Sequence, residues 1–335
     1  MNVKTKILCW NSRSIVNKSL ELSHYAHKFN IDIIALCETL LKKKHTLKSN
    51  GYNIYRNDNG RGVALLIKNN IKHYFVQLPA LKTLIAVACV IELNNTEILL
   101  ISSHLSPSVK LDCHDLRTLF NLHKHVILVG DLNCKHVAWN CFSNNRNGKI
   151  LLDYVIRNNI VIAAPDKPTY IPDRSNAHPS VLDIGLIKNI NSVITSDCHC
   201  TLSSDHNPVI LSIGGKVNTL PTRYVYNYKA ADWKKFRSLM NNKLSINPQA
   251  VHHNDIDMLV ENFQNVLIKA ANESIPKITI GKNSQQLPGI ISGLIKIKNI
   301  IKKAFSKHRH RWLKRTLNKL IVLISKLLQL HRNLS

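Results

Sequence analysis

Residues 5–213 are a succession of short apolar runs separated by Gly, Asn and Pro. Runs of this length, bounded in this way, predict strands rather than helices. The strand candidates are 6–10, 32–37, 53–56, 62–68, 85–92, 97–103, 125–129, 160–164, 181–187 and 209–213. Only 18–29, 112–123 and 147–158 carry helical spacing. In the last of these, Ile150, Leu151, Tyr154 and Val155 recur on one face, and Asn158-Asn159 ends it. The runs 85–92 and 97–103 flank Leu93-Asn94-Asn95-Thr96 and read as a hairpin. Many strands, few helices and a hairpin argue against an all-parallel doubly wound sheet. They predict an α/β fold of two packed β-sheets with flanking helices.

Beyond 213 the pattern changes. Gly214-Gly215 closes the last strand candidate, and Pro221 opens a polar, aromatic connector. From Asp232 onward the chain reads helical, over 232–243, 254–274 and 288–333. The last segment runs without proline, and Ile291, Leu294, Ile295, Ile301, Phe305, Trp312, Leu317, Leu320, Ile324 and Leu328 alternate with basic residues. The expected division is therefore 1–215 and a basic helical extension, 216–335. Charge follows the same division. Residues 1–215 hold 24 Lys+Arg against 15 Asp+Glu, and residues 216–335 hold 22 against 5, within a net charge of +26. Such a surplus calls for a polyanionic partner: nucleic acid or an anionic membrane surface. A basic amphipathic helix serves as a nucleic-acid arm, a membrane-surface helix or a docking helix. No uncharged apolar stretch of about 18 residues exists, so no membrane span is expected. Residues 1–30 lack the apolar core of a signal peptide, so the thiols are expected reduced, in cytosol or nucleus.

Polar residues recur where the strand candidates end. Asn11 follows 6–10, and Glu38 follows Ile33-Ile34-Ala35-Leu36-Cys37. Asp131 and Asn133, in Gly130-Asp131-Leu132-Asn133, follow 125–129. Asp183 lies inside 181–187, and Ser204-Asp205-His206 precedes 209–213. Asp and Asn after a glycine ordinarily make a turn. A carboxylate inside an apolar strand, however, is costly to bury unless it is paired or holds a metal. The set is rich in oxygen donors, which suits a hard divalent ion, Mg²⁺ or Mn²⁺, better than zinc. Asp183 is a candidate to orient His206. A metal, a histidine–carboxylate pair and amide donors together suit attack of water on a phosphodiester. Cys134-Lys135-His136 with Cys141, and Cys198-His199-Cys200, match no common zinc module and read as core and loop residues. Gly60-Arg61-Gly62 reads as a turn and Trp139 as a packed aromatic.

Trp10-Asn11, Cys37-Glu38-Thr39, Gly130-Asp131-Leu132-Asn133, Ser180-Val181-Leu182-Asp183 and Ser204-Asp205-His206 resemble, in order, the motifs of the endonuclease/exonuclease/phosphatase superfamily. Within it they are most similar to the endonuclease domain of jockey-type non-LTR retrotransposons. The resemblance covers about 5–213. It continues through Tyr226–Trp233, Ala271–Pro276 and Leu287-Pro288, which resemble the linker that leads to a reverse transcriptase; no polymerase signature follows. It implies a four-layered sandwich and a metal-dependent endonuclease that nicks DNA. It also implies RNA as a possible partner of the basic segment, and a nuclear location after cytoplasmic synthesis, without secretion or membrane attachment.

By the same resemblance, Glu38 holds the metal with Asn11 and Asp205 close by. Asp131 positions or deprotonates the water, and Asn11, Asn133 and His206 contact the phosphate. His104, after 98–103, stands where the family usually has a tyrosine. That departure implies weakened activity: slow nicking that His104→Tyr speeds. Two alternatives remain open on the sequence: an inactive nucleic-acid-binding protein, and a phosphatase of small phosphoesters.

Overall fold

The computed structural model describes residues 4–174, 176–220, 224–243, 253–279 and 287–334. The strands are β1 (Lys4–Asn11), β2 (Ile33–Cys37), β3 (Tyr52–Asn57), β4 (Val63–Lys68), β5 (His73–Val76), β6 (Leu84–Leu93), β7 (Thr96–Leu105), β8 (Val126–Asp131), β9 (Val161–Ala163), β10 (Asp183–Lys188), β11 (Ile194–Cys198), β12 (Val209–Gly214), β13 (Tyr224–Tyr226) and β14 (Lys277–Thr279). The helices are α1 (Ser19–Lys28), α2 (Cys113–Asn121), α3 (Arg146–Arg157), α4 (Trp233–Lys243), α5 (His253–Ser274), α6 (Gly289–His308) and α7 (Arg311–Leu334).

Two six-stranded sheets form the sandwich, in the orders β11-β12-β1-β2-β4-β3 and β5-β6-β7-β8-β10-β9. Each has a parallel pair near its middle, β1 with β2 and β7 with β8, and antiparallel strands outside it. The period of two along each strand explains the layering. In β1, Ile7 and Cys9 face the other sheet, within a cluster that includes Ile33, Ala35, Leu65, Cys89, Leu100, Ile127, Val129 and Leu211. Leu8 and Trp10 face outward, where they meet Leu22, Tyr25 and Ala26 of α1. The outer face of the second sheet packs Leu99, Ile101 and Leu128 against Leu116, Leu119 and Phe120 of α2 and Leu151, Tyr154 and Val155 of α3. Central strands covered on both faces need continuous apolar sequence, which is why these runs do not alternate.

The expected hairpin forms, and two helices carry side-chain caps. Asn94 and Asn95 adopt φ of 48° and 62°, the left-handed pair of a two-residue hairpin turn. Asp112 and Asn145 cap α2 and α3, accepting from the backbone N–H of His114 and Gly148. β5, β11, β13 and β14 carried no clear sequence pattern; the first two are exposed edge strands.

The C-terminal region departs from expectation in two ways. First, the compact units do not follow the 215/216 boundary alone. Met1–Leu220 and Asn283–Ser335 form one compact unit, and Pro221–Lys282 a second. In the second unit β13 pairs antiparallel with β14, and α4 packs on α5; Pro221 lies outside the described residues. Second, the expected helix over 288–333 is two helices. Arg309 takes φ of 58° and caps α6 by donating its N–H to Phe305 O at 2.9 Å. A continuous helix of that length would extend about 69 Å and leave its apolar stripe bare. Folding back lets Ile291 and Ile295 meet Ile324 and Leu328 above Leu20, and lets Phe305 meet Leu313, Leu317 and Ile171.

Two lysines anchor α6 to the sandwich. Lys298 Nζ lies 2.5 Å from Glu21 Oε1, with both side chains buried. Burial alone would raise the Glu21 pKa, but Lys298 outweighs it and holds the carboxyl below its ordinary value. Lys302 Nζ donates to the carbonyls of Thr201, Leu202 and His206. Removing one partner of a buried pair leaves an uncompensated charge, whereas removing both does not. Lys298→Met is therefore expected to lower unfolding free energy by about 3–5 kcal/mol, and Glu21→Leu combined with Lys298→Met to recover most of it. Urea unfolding of the single and double variants measures this; a single variant as stable as the parent contradicts it.

Candidate active site

Strand register brings the polar residues to one end of the sandwich. In the first sheet the parallel pairing places Asn11 opposite Cys37, so Asn11 and Glu38 leave the sheet side by side. In the second, His104 is opposite Asp131 across the parallel pair, and Asp183 is opposite Asp131 across the antiparallel one. β12 runs antiparallel to β1 with Val209 opposite Cys9, so the loop carrying Asp205 and His206 arrives at the same end. Asp183 opens β10 rather than lying inside a longer strand, and His104 lies within β7 rather than after it.

The sheets approach closely beneath this cluster. Cys37 Sγ is 3.3 Å from Ser103 O, the Asp131 N–H donates to Cys37 Sγ at 3.4 Å, and Ser102 Oγ donates to Leu36 O at 3.2 Å. Gly130 belongs to the same tight region. A Cβ there would lie 1.7 Å from Ser103 O, so the glycine of Gly130-Asp131-Leu132-Asn133 is required by packing.

A cavity of about 630 Å³ opens above, lined in part by Asn11, Glu38, Asp131, Asn133, Asp205 and His206. His206 Nδ1 is 2.8 Å from Asp183 Oδ2, and its Nε2 is 3.7 Å from Asp131 Oδ2. The same Asp131 oxygen accepts from Asn11 Nδ2 at 2.8 Å, and Asp131 Oδ1 accepts from the Asn133 N–H at 3.0 Å. Asn133 takes φ of 48°, and its Nδ2 donates to Leu105 O at 2.9 Å. Glu38 also takes a left-handed φ of 48°, uncommon for a non-glycine residue and typical of functional sites. Its carbonyl accepts from the Ser14 N–H at 2.8 Å, which holds that conformation.

The charges are strongly mutually dependent. Burial pushes Asp131 up to about 6, with His206 opposing and Asp183 reinforcing the shift. Burial also disfavours charge on His206, but Asp183 and Asp131 outweigh it and raise the imidazole to about 9. For Glu38, burial is outweighed by the nearby His104, Arg61 and Asn11, and the carboxyl falls to about 2. Arg61 Nη2 is 2.6 Å from Glu38 Oε2.

The donor chemistry fits a divalent cation. Glu38, His104 and Asp131 each offer one ligand atom, all within 4.8 Å of one another, and Asp131, Asp183 and His206 form a second such group. Asp183 Oδ1 is buried without a hydrogen-bond partner. Asp205, expected beside the metal, lines the cavity but joins neither group; its Oδ2 lies 2.5 Å from Arg13, and its Oδ1 3.2 Å from Ser204 Oγ. Asn11 likewise turns its amide to Asp131, while its Oδ1 accepts from the Arg13 N–H.

Among the residues set aside on sequence, Cys134 and Cys141 are buried and bond to backbone carbonyls, and Trp139 is buried with Nε1 donating to Cys134 O. Gly60-Arg61-Gly62 makes the turn into β4. A Cβ at Gly62 would fall 2.4 Å from Thr39 Oγ1, and Gly62 has φ of 76°. The turn also delivers Arg61 to Glu38, a link that nothing in the local sequence announced. Arg13, Tyr170 and Lys135 are further cavity residues without a sequence signal. Tyr170 reaches the site through its bridge to His206, the rings 4.9 Å apart.

Residues 98–210 match the family model described as Endonuclease-reverse transcriptase. Over 315 residues the chain is 25% identical to the RNA-directed DNA polymerase from mobile element jockey of Drosophila funebris, covering 90% of this chain and 34% of that protein. Over 296 residues it is 25% identical to the probable RNA-directed DNA polymerase from transposon BS of Drosophila melanogaster, covering 82% and 32%. The chain thus spans about a third of the length of the curated relatives it matches. Among solved structures, the endonuclease domain of TRAS1, a telomere-specific non-LTR retrotransposon, superposes with a TM-score of 0.51 at 18% identity, covering 62% of this chain and 98% of that one. Fold, ordered motifs and relatives point the same way: residues 98–210 match the endonuclease–reverse transcriptase model, the fold is similar to that of the TRAS1 endonuclease domain, and the sequence is similar to about a third of the jockey RNA-directed DNA polymerase.

Proposed function

We propose that this chain hydrolyses phosphodiester bonds with a divalent metal ion, Mg²⁺ or Mn²⁺, and nicks DNA. The observation that carries the reading is the Asp183–His206–Asp131 chain beside Glu38 at the mouth of the cavity. A bound cation would supply charge to offset that developing on the phosphoryl oxygens. Glu38, its carboxyl held low and its Oε2 2.6 Å from Arg61 Nη2, would hold it.

The remaining chemistry belongs to the side chains. With its pKa raised, His206 carries a proton at neutral pH and cannot serve as the base. Asp183 fixes its ring by accepting from Nδ1, so Nε2 is left to donate to a phosphate oxygen. Asp131, ionised above about 6, is the acceptor for the proton of the attacking water. The Asn11 amide and the Asn133 backbone N–H hold its two oxygens in place. Arg13 and Arg61, both partly exposed at the rim, meet the flanking phosphates.

DNA as substrate fits the net charge of +26. The exposed lysines and arginines of α6 and α7 are suited to hold DNA or RNA, and the protein would act in the nucleus without a membrane partner. No described helix is long and apolar enough to cross a membrane.

Incubated with supercoiled plasmid, the protein is expected to produce relaxed circles only when Mg²⁺ or Mn²⁺ is present. Glu38→Ala and His206→Ala are each expected to cut the rate by about 10²–10⁴. Plasmid left supercoiled by the parent protein, with binding intact, would instead favour a nucleic-acid-binding role.

The charge on His206 has its own readout. In the metal-free protein its imidazole is expected to titrate near 9, followed by nitrogen-edited NMR, and Asp183→Asn is expected to bring the midpoint down. Because the folded value exceeds the ordinary 6.5, this residue's stabilising contribution is complete below about 6.5 and lost as pH rises through about 9. A midpoint that ignores Asp183→Asn refutes the pairing.

A further inference from the structure

His104 differs from every other residue at the site. Its side chain is fully buried in β7, yet neither Nδ1 nor Nε2 has a hydrogen-bond partner. Buried polar atoms left unmet cost about 1–3 kcal/mol each, so an imidazole in this position needs a compensating interaction. Its nearest charged neighbour is Glu38, whose Oε1 lies 3.5 Å from Nε2. That separation is long for a hydrogen bond. It suits two atoms bound to the same ion, because ligands at about 2.1 Å from a metal stand roughly 3–4 Å apart. Arg61 occupies the other Glu38 oxygen, Oε2, which leaves Oε1 facing the histidine. Asp131 completes the group, with its ligand atom within 4.8 Å of both.

We infer that His104 is a nitrogen ligand which, with the Glu38 carboxylate and beside Asp131, forms a mixed nitrogen–oxygen site selective for a divalent transition-metal ion over Mg²⁺. The inference rests on reading this cavity as a metal-dependent phosphodiesterase site and gives that site its metal preference. Mg²⁺ favours an octahedral shell of oxygens and keeps several waters, so an imidazole adds little to its binding. Mn²⁺, Co²⁺ and Zn²⁺ accept imidazole, with affinity generally rising from Mn²⁺ through Co²⁺ for such donors. On this reading the residue at position 104 changes the metal used rather than only slowing the reaction.

The test reads binding, not turnover. The full chain, stripped with chelator, is titrated with Mn²⁺ and with Mg²⁺ by calorimetry, and the Mn²⁺ form is examined by electron spin echo spectroscopy for ¹⁴N modulation. The parent protein and His206→Gln, which lacks the other imidazole nearby, are both expected to show the nitrogen signal. His104→Gln is expected to lose it and to bind Mn²⁺ about 10-fold more weakly, with Mg²⁺ affinity within about 2-fold. If His104→Gln fails to fold, the signal in His206→Gln still decides the assignment. Mn²⁺ bound without a nitrogen signal, or a signal that survives His104→Gln, overturns the inference and leaves the phosphodiesterase proposal standing. A nitrogen signal in a protein that cannot cut plasmid with either metal overturns that proposal and leaves the site.

Discussion

Ile7, Cys9, Ile33 and Ala35 of one sheet pack against Cys89, Leu100, Ile127 and Val129 of the other, and this apolar layer sets the relative position of everything at the functional end. Each sheet contributes one parallel pair, and the carboxyl ends of both pairs point the same way. A shift of one residue in either register would turn the whole inner set outward, so the layer fixes register as well as spacing. Asn11, Glu38, His104 and Asp131 inherit their places from it. The small residues Ser102, Ser103, Gly130 and Cys37 let the backbones close beneath them, and a larger residue at 130 would collide with the Ser103 carbonyl.

That closeness carries an electrostatic cost. Asp131, Asp183 and His206 are all nearly inaccessible, and isolated charges there would be prohibitively unfavourable. They coexist because His206 lies between two carboxylates and is kept protonated by them. The raised Asp131 and the depressed Glu38 show how position divides chemically similar acids between roles. Glu38 sits against the Arg61 guanidinium and stays ionised throughout the physiological range. Asp131 sits deeper, beside Asp183, and holds a pKa close enough to neutrality for proton transfer.

Much of this was legible in the sequence because it depends on local pattern. The central strands announce themselves as continuous apolar runs, and Asn94-Asn95 as a hairpin turn. The order of Asn11, Glu38, Asp131, Asp183 and His206 marked a candidate cluster, and the structure brings these residues together. What escaped notice depends on contacts distant in the chain. Arg61 reaches Glu38 only because the Gly60–Gly62 turn folds over it, and Tyr170 reaches His206 through a single bridge. β5 and β11 are edge strands with two exposed residues each and none fully buried, so they lack an apolar core signature. The break at Arg309 has neither glycine nor proline to mark it, because the force that bends the chain is the burial of two stripes against each other.

The basic C-terminal helices show why charge alone misleads. From sequence their lysines read as one surface for a polyanion, yet Lys298 and Lys302 point inward. Lys298 neutralises Glu21, and Lys302 gathers the carbonyls of Thr201, Leu202 and His206, the backbone of the loop that presents the His206 imidazole. Trp10 donates to the same His206 carbonyl from the opposite side. Lys314 meets Asp173, and Arg309 meets the carbonyl of Arg174, so the segment beside Tyr170 is braced too. The helices therefore have two kinds of cation: a buried minority that holds the site's loops, and an exposed majority, including Lys296, Lys303, Lys307, Arg311, Arg315 and Lys319, that remains available for phosphates. Salt would screen the second kind and leave the first nearly untouched, because only the exposed charges share the ionic atmosphere. High ionic strength should thus weaken the pull of the exposed cations on a polyanion while the fold, and the geometry around His206, persist.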